Sequence, residues 1–480
     1  MSRQSHPPAD VTPDYAKLDA TAIALRVAER AASPVELIEA ALASIELLDP
    51  SLCACTVILR DEALAAAHAL ERRLAAGGGA GPLAGVPVAV KDVIWVRGTP
   101  ATMGTRVLAD FVPEVDAACV RRMREAGAIV VAKTANPPFC TGGYSTRQLA
   151  GRTRNPWDTR RSPGGSSAGS GAAVAAGMTP LALGTDMGGS IRIPAAFCGV
   201  VGLKPTHGLV ARGPCFEEGR TLNVVGPMAR TVRDVALCLD VIAGADPADN
   251  LSVPRAPVRH RDALAERGVA ELRVAWSADL GHVELDAAVR DTFMKRIGAL
   301  EREGWRLEHA HPDVGPMDPV HFVISQGERG SFAAGREGLI EPTHRAMLDA
   351  AAALPAREYH EAQVERARYA RIWEKFFEHH DLLLTPSLPF AAFSLDPRDP
   401  PLLNGRPIDV DREAWWELLL VASLTGGPAI SVPMGRGEDA LPLGMQVLGP
   451  RFAELRCLAV AAELEAIMPW EHLVALGGRR

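Results

Sequence analysis

Several common chemistries are missing from this chain of 480 residues. Its eight cysteines, from Cys53 to Cys457, include no CxxC spacing, and the close pair Cys53 and Cys55 stands alone. Reduced, mostly buried thiols are therefore expected, not a zinc site or a disulfide framework. The 13 histidines contain no HExxH, and His309 with His311 and the pair His379 and His380 read as surface residues. No metal and no other cofactor is expected. A GxxxxGK(S/T) phosphate loop is absent too. The net charge is −7, and scattered pairs such as Arg121–Arg122 and Arg160–Arg161 form no basic stripe, so no nucleic-acid partner is expected. The opening MSRQSHPPADVTPDYAK lacks the apolar stretch of a secretory signal, and a cytoplasmic location is expected. Ser162 to Thr185 is uncharged over a span long enough to cross a bilayer. Its glycine, serine and proline content argues against a membrane helix, and no membrane partner is expected.

What is present suits a large folded core: 48% of residues are hydrophobic. Ser33, Pro34 and Glu36 open a helix with a capping pattern that runs to Leu48. A second helix covers Asp61 to Ala76 and stops at Gly77. A strand ends at Lys91, Asp116 to Ala126 reads as a helix, and Ala128 to Ala132 as a strand. Leu272 to Trp276, Leu382 to Leu384 and Ala429 to Val432 are further strand candidates. This alternation predicts an α/β fold with a central sheet covered by helices. Pro386 to Pro407 reads as a long ordered loop.

Chemistry concentrates between Ser162 and Lys204, SPGGSSAGSGAAVAAGMTPLALGTDMGGSIRIPAAFCGVVGLK. Ser166 and Ser190 lie in separate glycine-rich loops, where backbone N–H groups can converge on developing negative charge. Upstream, the apolar run Val86, Val88, Val90 delivers Lys91 at the end of a buried strand. Asp92, next along, is expected on the opposite face. A serine hydroxyl needs a base, and a lysine serves only when neutral, a state that burial favours.

The stretches Gly164 to Ser170 and Gly184 to Ala195 resemble the two motifs of the amidase signature family, GGSS(G/A)GS and GTDxGGSIRxPA. Their serines stand 24 positions apart and Lys91 lies 99 before Ser190. The resemblance extends from LDATAIALRVAERAASPVELIEAAL through DLLLTPSLP to TGGPAISVPMG and LPLGMQVLGPRF. It implies an amidase signature fold, a central mixed twisted β-sheet surrounded by α-helices, as one domain over 1–480. The catalytic core would span about 80–210, with variable pocket segments at about 245–337 and 386–416. It further implies Ser190 as nucleophile, Ser166 as a bridging serine after a cis peptide bond, and Lys91 as base. The N–H groups of Met187, Gly188, Gly189 and Ser190 would form the oxyanion hole, with Thr141 and Gly142 at the substrate. Asp186 and Arg192 are expected to pair and support the loop.

The implied activity is hydrolysis of small amides through an acyl-enzyme, extending to carbamates and esters, by a monomer or homodimer. The alternative is the glutaminase subunit of a tRNA-dependent amidotransferase. A rival centre exists, since Gly165 to Gly169 satisfies GxSxG with Ser167 in the middle. The polar, proline-bearing Arg152 to Pro163 ahead of it does not read as the strand such an elbow requires. In TANPPF, Thr134 to Phe139, Pro138 stands where many family members carry an acid, which favours apolar ligands.

Overall fold

The computed structural model describes residues 15–144, 149, 151–216, 218–254, 259–264, 271–329, 337–410, 414–437, 439–470 and 472. Most of the N-terminal stretch read for a signal, and parts of both expected pocket segments, lie outside them. No described helix is long and apolar enough to cross a membrane.

The strands in chain order are β1 (Cys55–Ile58), β2 (Pro87–Lys91), β3 (Ile129–Thr134), β4 (Leu181–Asp186), β5 (Val201–Lys204), β6 (Val224–Ala229) and β7 (Val274–Trp276). They continue with β8 (Leu307–His309), β9 (Leu382–Pro386), β10 (Leu402–Leu403), β11 (Arg406–Pro407), β12 (Ala429–Arg436) and β13 (Pro442–Leu448). Eleven of them form one sheet in the order β1-β3-β2-β4-β6-β5-β12-β13-β9-β7-β8, and β10 pairs with β11. β2 runs parallel to β3 and β4, whereas β6 is antiparallel to β4 and β5. The sheet is therefore mixed, as expected for the α/β fold.

Every residue of β2, β3 and β4 is buried, which explains why VAV and IVVA read as continuous apolar runs and not as alternation. The first long helix, Pro34–Leu52, starts where the capping pattern placed it, with Ser33 Oγ accepting the Val35 and Glu36 N–H groups. Ser33 Oγ itself donates to Glu71 Oε1 at 2.7 Å, which ties this helix to the next, Arg60–Ala75. The segment 386–416 contributes Phe390, Phe393, Leu403, Ile408 and Trp415 to an apolar cluster with Ile193, Phe197 and Leu419. Trp415 stacks on Phe197 with ring centroids 6.2 Å apart.

Parallel neighbours point their carboxyl ends the same way, and loops leaving those ends open a crevice over the sheet. Lys91 ends β2 and Asp186 ends β4. Both serine loops gather at that end.

Candidate active site

Three anchors hold the turn that carries Ser166 over the ends of β3 and β4. Ser170 Oγ donates to the Leu183 carbonyl at 3.0 Å and shares a 2.7 Å hydrogen bond with Thr134 Oγ1. The Gly169 N–H donates to the Ala135 carbonyl at 3.0 Å, and the Ser167 N–H to the Ser190 carbonyl at 3.1 Å. The last of these joins the two glycine-rich loops directly. The Gly165–Ser166 peptide bond is cis.

Lys91 is fully buried. Its Nζ donates to Ser166 Oγ at 2.7 Å and to Thr185 Oγ1 at 2.8 Å. Asp92 turns away as expected, with Oδ2 accepting the Thr102 N–H and hydroxyl at 2.9 and 3.0 Å. Ser166 is 1% exposed, whereas Ser190 is half-buried, as are Met187 and Gly188. Ser190 thus borders solvent-accessible space with the lysine sealed behind it. Among the hydrogen bonds of the described residues, none joins Ser166 Oγ to Ser190 Oγ. Of the two contacts expected of Ser166 Oγ, the one to Lys91 Nζ is formed and the one to Ser190 Oγ is not.

The loop that carries Ser190 is fastened by a buried ion pair. Arg192 and Asp186 are both fully buried, and the guanidinium grips the carboxylate through Nε and Nη2 at 3.1 and 3.0 Å. Arg192 also donates to the Leu419 carbonyl, Gln446 Oε1 and Ser423 Oγ. Burial pushes the Asp186 carboxyl up, but Arg192, Lys204 and the Ile191 N–H together outweigh it and hold the group below the ordinary carboxylate range.

One expected oxyanion donor is redirected. The Gly189 N–H donates to Asp186 Oδ1 at 2.7 Å, so it belongs to the loop's fastening and not to the hole. Gly189 has φ +122°, and a Cβ there would lie 2.3 Å from Leu419 Cδ1; only glycine fits.

Thr141 and Gly142 lie beside the Ser166 turn, since a Cβ on Gly165 would sit 3.1 Å from the Gly142 carbonyl. Thr141 Oγ1 accepts from Arg329 Nη1 at 2.8 Å. Ser167, the rival nucleophile, is fully buried. Its hydroxyl donates to the Thr185 carbonyl and accepts the Thr185 N–H, each at 3.2 Å, a scaffold role between helix and strand.

This arrangement meets its family in the comparisons with known proteins. The Amidase family profile matches residues 36–458. The chain belongs to the amidase signature family. It is 37% identical to a glutamyl-tRNA(Gln) amidotransferase subunit of Acidothermus cellulolyticus, over 94% of this chain and 95% of that one. It is 36% identical to the acylamidase of Rhodococcus erythropolis, over 94% and 96%. A bacterial aryl acylamidase superposes with a TM-score of 0.87 at 30% identity, covering 96% of this chain and 99% of that one.

Two features of this amidase signature chain escaped sequence reading. Thr185 at the lysine had a signal available, since it sits inside the GTD motif five residues before Ser190. His321 had none: it comes from the motif-poor stretch and meets the nucleophile loop only in space. Of the histidine pairs, His309 and His379 are exposed as expected, and the other two need correcting. His380 is 8% exposed, stacked on Phe376 with centroids 4.4 Å apart, its Nε2 3.0 Å from Glu308, and His311 is half-buried.

Proposed function

We propose that this protein is a serine hydrolase that cleaves C–N bonds of small, largely apolar amides through an acyl-enzyme, with Ser190 as nucleophile, Ser166 as relay and Lys91 as base. The observation that carries the reading is the buried Lys91 Nζ, 2.7 Å from the hydroxyl of Ser166. Removal from water favours the neutral amine, the form able to accept a proton.

In the reacting form Lys91 takes the Ser166 proton as Ser166 takes that of Ser190. Ser190 Oγ then bonds to the carbonyl carbon, and the carbonyl π electrons move onto oxygen. The N–H groups of Met187, Gly188 and Ser190 stabilise that oxyanion, where loss of one donor costs about 2.7–4 kcal/mol. Collapse breaks the C–N bond while the proton returns through Ser166 to the departing nitrogen, without which an amide anion is a very poor leaving group. Water, deprotonated by the same relay, cleaves the ester. Asp186 and Arg192 hold the loop and touch no substrate.

Phe390, Phe393 and Trp415 pack with Ile193 and Phe197 of the helix that follows Ser190, an apolar surrounding that supports an aryl or acyl group in the substrate, in line with Pro138 replacing an acid. Carbamates present the same carbonyl to Ser190 and belong to the proposed range, as do esters. A second reading, the glutaminase subunit of a tRNA-dependent amidotransferase, draws on the 37% identity to one protein of that kind. Initial rates of the purified chain on an anilide, a primary amide, a carbamate, an ester and glutamine decide between them. Turnover of the anilide that Ser190→Ala abolishes is expected. Turnover of glutamine alone, and only after a partner is added, would establish the second reading.

A further inference from the structure

His321 is a buried polar group beside the proposed centre with no part in the reaction as written. It belongs to the helix Asp318–Gly327 and is 9% exposed, with Nε2 inaccessible to solvent and lacking a hydrogen-bond partner. An unsatisfied buried nitrogen of this kind costs about 1–3 kcal/mol, which an apolar residue would avoid.

The ring is lodged against the nucleophile loop. A Cβ on Gly188 would lie 2.7 Å from Nε2 and 2.8 Å from Cε1, so the absence of a side chain at Gly188 is what lets ring and backbone meet. The ring is not free to withdraw. Its helix is anchored at the N-terminus, where Glu417 accepts the Met317 and Asp318 N–H groups, and Trp416 Nε1 donates to Asp318 Oδ1 at 2.9 Å. Burial lowers the imidazole to about 4, Asp186 and the Met187 backbone opposing and Arg329 and Arg192 reinforcing. At neutral pH the ring is therefore uncharged, with one N–H and one bare nitrogen. A trans peptide points its C=O and N–H to opposite sides of the chain. Whatever fixes the Met187–Gly188 peptide from one side thus aims the Gly188 N–H toward the other.

We propose that His321 is a positioning residue for the nucleophile loop: its imidazole, packed on Gly188 and the Met187 backbone, fixes the plane of the Met187–Gly188 peptide and so the direction from which the Gly188 N–H meets the oxyanion. This rests on Ser190 being the nucleophile. The contact is polar as well as steric: the Met187 backbone acts on the imidazole against the effect of burial, an interaction that Phe would lose.

The test combines steady-state kinetics on a neutral nitroanilide with the affinity of a trifluoromethyl ketone, which forms a tetrahedral adduct on a nucleophilic serine. His321→Phe fills the space without nitrogen, and His321→Asn keeps a polar group. His321→Phe is expected to lower kcat about 10- to 100-fold and to weaken the ketone by a similar factor, with KM changed less than about threefold; His321→Asn should retain most of both. Gly188→Ala should fall as far, because its methyl meets the ring. Gly188→Ala/His321→Ala should then recover at least about tenfold over Gly188→Ala alone. Wild-type kcat and ketone affinity in folded His321→Phe overturn the proposal. So does a double variant no better than Gly188→Ala, and that comparison decides the matter if His321→Phe does not fold. Fluorophosphonate labelling separates the two layers. Failure to label Ser190 in the wild type removes the functional reading and this inference together, whereas a labelled wild type with indifferent His321 variants removes the inference alone.

Discussion

Lys91 has two contacts that define its proposed task, one to a serine that relays and one to Thr185, which holds the amine in place. If the lysine returns a proton to the leaving group, its loss should depend on how much the leaving group needs one. Lys91→Ala is expected to lower kcat on an anilide by about 10²- to 10⁴-fold, the usual worth of general acid–base catalysis, and to hurt the matching nitrophenyl ester at least about tenfold less. Equal losses on both substrates would remove the leaving-group role. Arg192 belongs to the same scale but to stability. Arg192→Leu strands the buried Asp186 carboxylate and should cost about 3–5 kcal/mol in denaturant unfolding; a loss under about 1 kcal/mol would show that the pair is dispensable. Ser166, Ser190 and Lys91 were legible because two long motifs and their spacing single them out. The Gly189 N–H was misassigned because a motif records which residues are present and not which way each peptide points. His321 was invisible for a different reason: its contact with Gly188 spans more than a hundred positions and follows no local period.

Strands and helices divide along similar lines. β2 and β3 were readable since parallel strands buried on both faces leave unbroken runs of Val, Ile and Ala. β4, β6 and β13 were not. VVGPMA and PLGMQVL contain glycine and proline, which in isolation signal turns, and LALGTD was absorbed into the catalytic motif. Here Gly226 and Pro227 lie inside β6 opposite Gly184 and Leu183 of β4, and only the assembled sheet makes them strand residues. Helix docking supplies a prediction of its own. Glu465, on the helix Glu454–Ile467, accepts the Val232 N–H at 3.2 Å at the start of the helix Val232–Ile242. Burial is the main cause that raises its carboxyl from the ordinary 4.5 to about 7, with the Val232 N–H opposing and Asp234 adding to it. Between these values the folded protein holds a proton that the unfolded chain has released, so this group's contribution to stability falls as pH climbs through that window. Glu465→Gln keeps an acceptor without the charge. It should melt roughly 2 °C above the wild type at pH 8 and level with it at pH 4; a gain confined to acid pH would reverse the sign of this argument.

Across the whole molecule, a single sheet of eleven strands brings residues from Cys55 to Leu448 into one framework, and the proposed centre draws on 91, 166, 185 and 190 at one end of it. Every group in the proposed relay comes from this chain, so purified protein is expected to hydrolyse an anilide at a rate that added partner protein leaves unchanged. A strict requirement for a second protein would place it with the amidotransferase subunits instead. The central claim is that Ser190, and not the neighbouring Ser167, attacks the carbonyl. The direct measurement is peptide mass spectrometry after treatment with a fluorophosphonate, in the wild type, Ser190→Ala and Ser167→Ala. The account predicts a single adduct on Ser190, absent from Ser190→Ala and retained in Ser167→Ala, whereas an adduct on Ser167 with Ser190 unmodified would contradict it.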